Sequence, residues 1–284
     1  MQKHFFFNKS SFFSALIFLS VLSSSNVSGQ GNLLLTPRRV VFEGNKRAQV
    51  INLANTGQET ATYNISVIQY RMKEDGSFEE ITEPDSGQNF ADKYFRFYPR
   101  TVTLAANEAQ TIRMQLIRTD QLSSGEYRSH MYFRAVPNLH PLGQEESQEQ
   151  DSITISVRLT AVFGIAIPVI IRVGESTTQV NISDLKMEEN EDEITSLLLR
   201  FNRMGNMSVY GDLTVEHVSP QGKVTQVGIA RGVAIYTPNL LRRIRMNLDK
   251  KANVNYHSGK ILVKYNSQSD IKPEILASGE LLLH

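Results

Sequence analysis

Residues Ile153 to Ile167 read ITISVRLTAVFGIAI, which puts Ile153, Ile155, Val157, Leu159, Ala161, Phe163, Ile165 and Ile167 at every second position. Most residues between them, such as Thr154, Ser156, Arg158, Thr160, Gly164 and Ala166, are polar or small. A repeat of two is the geometry of an extended chain whose side chains alternate between faces, so the segment reads as a β-strand. It exceeds the roughly five or six residues of an ordinary strand, and a polar loop precedes it in place of a tight turn. Such a strand can offer its apolar face and free edge to a second protein. The same alternation also fits residues that face the core of their own sandwich, and periodicity alone does not separate the two uses.

Working outward, the preceding segment Asn138 to Asp151, NLHPLGQEESQEQD, is acidic and Gln-rich without apolar periodicity, as in an exposed loop. On the other side, Pro168 lacks a ladder donor, so the sheet is expected to end there. Val169 to Val173 then leads to Gly174 and a second domain. Upstream, short β-branched runs at Leu33 to Phe42, Ala48 to Ala54, Thr62 to Tyr70, Thr101 to Leu104, Gln110 to Ile117 and Ser129 to Val136 alternate with turn signals. With the long strand they make one immunoglobulin-like sandwich over residues 30–168. A second series follows at Thr178 to Met187, Ile194 to Asn202, Gly211 to Val218, Lys223 to Val227, Leu241 to Leu248, Lys260 to Tyr265 and Ile275 to Leu283. It predicts a second sandwich over residues 169–284, and the fold class is all-β.

The first 29 residues have the three parts of a cleavable secretory signal. Lys3 and Lys9 supply the charge, Phe12 to Leu22 the apolar core, and Val27-Ser28-Gly29 the small-residue cleavage site. The mature chain is expected to begin at Gln30 and to be exported, and no later run reaches the roughly 20 apolar residues of a membrane span. The two lysines leave with the signal, so the remainder carries 28 basic and 29 acidic residues, a net charge of −1. That balance argues against nucleic acid or an anionic membrane as partner. The chain has no cysteine, so neither disulfides nor thiolate metal sites are available.

Catalytic and metal chemistry find no motif. His130, His140, His217 and His257 lack the spacing of a metal site, and His130 fits a packed ring in a strand. No nucleophile elbow is present, and Glu188 to Glu193 lacks the glycine and oxygen-ligand spacing of a calcium loop. Tyr127, just after Gly125, fits a corner tyrosine that bonds to backbone. The sequence therefore predicts a binding protein without enzymatic activity, cofactor or metal.

Three blocks then resemble the PapD-like periplasmic pilus chaperones. They are LLLTPRRVVFEG (Leu33 to Gly44), PRTVTLAANEAQTIR (Pro99 to Arg113) and GEYRSHMYFRAVP (Gly125 to Pro137). With the long strand they span most of residues 33–168. The resemblance implies a chaperone that needs no ATP and binds immunoglobulin-like fibre or pilus subunits by lending them a strand, with an outer-membrane usher as a possible further partner. On that basis Ile153, Ile155, Val157 and Leu159 would fill a subunit groove. Arg39, with Arg38 as a second candidate, would anchor the subunit's terminal carboxylate. The lysine that completes this anchor in the family has no match; its position falls at Val162 or Phe163. The family's ionic bridge between domains also departs. Arg113 matches its arginine, but the glutamate position reads Arg128, with Glu126 two residues earlier, and the aspartate position reads Tyr256. An exposed apolar edge also invites capping by self-dimerisation. The alternative reading is an envelope adaptor that keeps the fold without the strand-lending chemistry.

Overall fold

The computed structural model describes residues 33–137, 162–191, 194–252, 254–268 and 273–283. The expected signal, the acidic loop and the long strand up to Ala161 lie outside them, and with it Ile153, Ile155, Val157 and Leu159.

The first unit contains β1 (Leu33–Thr36), β2 (Val40–Phe42), β3 (Ala48–Asn55), β4 (Ala61–Ile68), β5 (Tyr70–Met72), β6 (Phe78–Glu80), β7 (Phe95–Tyr98), β8 (Thr101–Leu104), β9 (Ala109–Leu116), β10 (Gly125–Ala135) and β11 (Gly164–Val173). Two sheets, ordered β1-β3-β9-β7 and β2-β11-β10-β4-β8, face each other as a sandwich. Alternate residues from both sheets meet between them: Ile51, Leu53, Ile112 and Met114 from one, and Met131, Phe133, Val169 and Ile171 from the other. The expected single strand Leu33 to Phe42 is two strands in different sheets. The apolar parity explains this, because Leu33 and Leu35 point inward in β1 whereas Val40 and Phe42 do so in β2, so Pro37-Arg38-Arg39 shifts the phase by one residue.

Pro168 does not end the sheet. β11 passes through it to Val173 with Pro168 opposite His130, five residues beyond the expected stop. Ala135 N–H donates to Phe163 O at 2.9 Å, so odd-numbered residues of β11 spend their backbone groups on β10 and even-numbered ones point to the outer edge. The missing N–H of Pro168 therefore falls where the antiparallel ladder does not need it.

The second unit contains β12 (Gln179–Glu189), β13 (Thr195–Met204), β14 (Val209–Val218), β15 (Val224–Ile235), β16 (Leu241–Asn247), β17 (Gly259–Ser267) and β18 (Ile275–Leu283). Its sheets β12-β13-β16 and β15-β14-β17-β18 enclose Leu197, Leu199, Phe201, Leu213, Val215, Val263 and Tyr265. The chain is thus two immunoglobulin-like β-sandwiches in series. β15 runs eight residues past the expected end at Val227, because bulges absorb its glycines. Gly232 has φ +69°, and its N–H donates to Asp212 Oδ1 at 2.8 Å. Sequence reading also missed β7 and the β5–β6 hairpin, which are only three or four residues long.

Candidate functional site

The outer face of β10 carries Glu126, Arg128 and His130, three polar side chains that an alternating strand ordinarily turns to water. All three are buried. The second unit covers them, and polar contacts satisfy most of what that burial removes from water. The Glu126 carboxylate accepts hydrogen bonds from Ser208 N–H (3.0 Å), the Ser208 hydroxyl and the Thr237 hydroxyl (3.4 Å), and pairs with Arg172 Nε at 3.3 Å. Arg172 also donates to Ser208 O at 2.7 Å. Arg128 donates to Thr237 O (3.1 Å) and Tyr70 O (3.4 Å), with its guanidinium 4.4 Å above the Tyr236 ring. This network joins the two units. Arg113, by contrast, is exposed on β9 in the opposite sheet, and Tyr256 donates to Asp249 O within the second unit, so neither takes part in it.

The β5–β6 hairpin adds a second contact. Asn239 Nδ2 donates to Met72 O at 2.7 Å and Arg243 N–H to Glu74 O at 2.6 Å. At the hairpin tip Gly76 has φ +85°, a conformation that favours glycine, and the Arg242 guanidinium lies against it, 2.5 Å from where a Cβ would stand.

Between these contacts lies a cavity of about 260 Å³ lined by Arg38, Arg39 and Pro168 from the first unit and by Tyr210, Tyr236 and Arg242 from the second, among others. Arg39 stands immediately before β2. Its guanidinium is 4.4 Å from the Tyr210 ring centroid, and its Nε and Nη2 are enclosed without a hydrogen-bond partner. Burial lowers its pKa from the ordinary arginine value, and Arg172 adds to that, against the opposing pull of Tyr236 and Glu126. Arg38, beside it, is exposed but lines the same cavity. His130 is central to the wall, with ring centroids 5.1 Å from Tyr70 and 5.8 Å from Phe78. Desolvation, reinforced by the Arg128 charge, lowers its pKa to about 3, so the ring is neutral.

β11 contributes Ala166 and Pro168 to this cavity, whereas Val162 and Phe163, where the family lysine was expected, do not line it. Pro168, rather than Val162 or Phe163, is the β11 residue that shares the cavity wall with Arg39 and Ala166. Outward-pointing backbone of β11 is covered only where β2 pairs with it in parallel, from Val169↔Val40 to Ile171↔Phe42. No strand pairs with that edge between Gly164 and Pro168 among the described residues. Phe163 and Ile165 beside it are exposed large apolar side chains. Tyr127 is a corner tyrosine as expected, its hydroxyl accepting from Ser123 N–H at 2.9 Å. Sequence reading missed Arg242, Tyr210 and Tyr236. In LRRIRMN the arginines look like a solvated strand face, and no local signal connects them to Arg39.

No family model and no curated protein matches the sequence. Among solved structures the chain is similar to the YadV chaperone (13% identity, covering 89% of this chain and 100% of that one, TM-score 0.44). It is also similar to the class 5 fimbriae chaperone CfaA (15%, 89% and 99%, TM-score 0.41) and to the CupB2 chaperone of Pseudomonas aeruginosa (12%, 87% and 98%, TM-score 0.41).

Proposed function

We propose that the chain is a periplasmic chaperone, exported by a cleaved signal, that holds immunoglobulin-like fibre or pilus subunits by pairing β11 and its upstream extension with them. The observation that carries this reading is the edge of β11 at Gly164–Pro168, unpaired among the described residues, which leads to the enclosed and unpartnered Nε and Nη2 of Arg39. β2 occupies the same edge further along and runs parallel to β11. A guest strand running in that direction would meet the start of β2 end-on, and its terminal carboxylate would arrive at Arg39. Backbone hydrogen bonds along the edge give affinity without reading much sequence, and the alternating side chains Ile153, Ile155, Val157 and Leu159 would fill the guest's groove. A desolvated guanidinium binds a carboxylate through charge-assisted hydrogen bonds that are stronger than neutral ones. Nothing in this scheme needs ATP or any other cofactor, and it is binding without catalysis. The free energy for release would come from the subunit's later folding with its neighbour, at an usher where one exists.

The test is capture of periplasmic partners by the Ile155→Asp/Val157→Asp double variant. Loss of the partner from a folded variant is the expected result, and undiminished capture would refute strand lending. Arg39→Ala is expected to weaken capture, and unaltered affinity would remove Arg39 from the site. The adaptor alternative draws support from the lack of a lysine on β11; it predicts capture that survives both changes. Self-dimerisation through the free edge would show as a mass twice that of the chain, lost in the double variant.

A further inference from the structure

Three arginines, Arg38, Arg39 and Arg242, line the cavity between the units, and no aspartate or glutamate is among its described lining residues. Two of the three are also desolvated. Arg39 has two enclosed nitrogens without partners, and Arg242 keeps an enclosed and unpartnered Nε while one of its terminal nitrogens donates to Ala234 O. Buried N–H groups of charged side chains left unsatisfied are costly, and a cluster of them around one cavity is a standing demand for an anion. Glu126, the buried carboxylate nearby, is committed to Ser208, Thr237 and Arg172. Arg242 is held in place, since its guanidinium packs on Gly76 of the hairpin and it projects from β16 of the second unit.

We propose that Arg242 is the second arm of the anion site, so that a single carboxylate is clamped between Arg39 of the first unit and Arg242 of the second. This rests on the reading of the cleft as the seat of a guest chain's terminus. The ligand class is the α-carboxylate of an extended peptide, because the cavity is lined by Ala166 and Pro168 of β11, whose edge there is unpaired among the described residues. Much of the remaining wall, including Tyr70, Met72, Phe78 and Tyr236 beside the neutral His130 ring, is apolar or aromatic and suits an apolar or aromatic last residue. A carboxylate held from both sides also ties guest binding to the docking of the two units.

The experiment titrates the full mature chain with three peptides while the arginine Nε–Hε resonances of Arg39 and Arg242 are followed by NMR. The peptides are acetyl-Gly-Val-Gly-Tyr as the free acid, the same peptide as its C-terminal amide, and the amide of acetyl-Gly-Val-Glu-Tyr. The free acid is expected to move both resonances and the two amides neither. Arg242→Gln is expected to weaken free-acid binding roughly tenfold, the size of one charge-assisted hydrogen bond, with Arg242→Lys recovering part of the loss. Near-UV circular dichroism of each variant reports whether the fold is kept. A free acid that moves Arg39 alone, and binds Arg242→Gln with unchanged affinity, overturns the clamp and leaves the Arg39 anchor standing. Equal binding by the glutamate-bearing amide overturns the assignment to a chain terminus. Silence of both resonances overturns the clamp and the Arg39 anchor together, while strand lending is judged separately by the Ile155→Asp/Val157→Asp capture assay.

Discussion

Glu126→Ala is expected to loosen the two sandwiches from each other without unfolding either. The Glu126 side chain has no solvent exposure and receives donors from Ser208 and Thr237 of the second unit as well as from Arg172 of its own. Truncation leaves the Ser208 N–H and hydroxyl without their acceptor and takes the counter-charge from a guanidinium that is only 18% exposed. Breaking a buried ion pair by removing one partner costs about 3–5 kcal/mol. Arg172 keeps its bond to Ser208 O and a long contact to Glu43 at 3.9 Å, so the cost falls at the low end, about 3 kcal/mol. That is roughly a hundredfold in the docking equilibrium. Because the lost partners sit on the other unit, the change should appear as a separation of two unfolding transitions and a broader small-angle scattering envelope. Glu126→Gln, which keeps an acceptor oxygen, should fall between. A denaturation shift below about 1 kcal/mol with unchanged scattering would refute the view that this carboxylate holds the units together.

His130 should make stability depend on pH. Its folded pKa of about 3 lies below the unfolded value of 6.5, so the unfolded chain binds the extra proton between these limits. The neutral ring's contribution is whole above pH 6.5 and is lost as pH falls toward 3. At pH 5 the wild type should have lost about 2 kcal/mol more than His130→Gln, measured by urea denaturation at pH 7 and pH 5, and equal losses would contradict the assignment. Tyr127→Phe removes the acceptor for Ser123 N–H and should cost about 1 kcal/mol in the same assay; no change would mean that water replaces the bond without loss.

The strands were legible wherever one face met the core and the other met water, as in β3, β9 and β13, because alternation records that asymmetry directly. β5 and β6 were not, since three residues carry too little period to read. Pro168 misled for a definable reason: a proline stops a strand only if its nitrogen faces a partner, and register decides that. Arg39 was recognised through its block LLLTPRRVVFEG, but neither its burial nor its missing partners could be read there.

By itself the sequence determined an all-β fold of two sandwiches, the phase of the longer alternating strands and the apolar parity of Ile165 and Ile167, because these follow from side chains a few residues apart. Only the tertiary structure decided that Glu126, Arg128 and His130 are interior and that Arg242 shares a cavity with Arg39. The physical reason is that one sandwich covers the outer face of the other. Which polar side chains lose water there depends on the docking of elements more than a hundred residues apart, and alternation along a single strand carries no record of it.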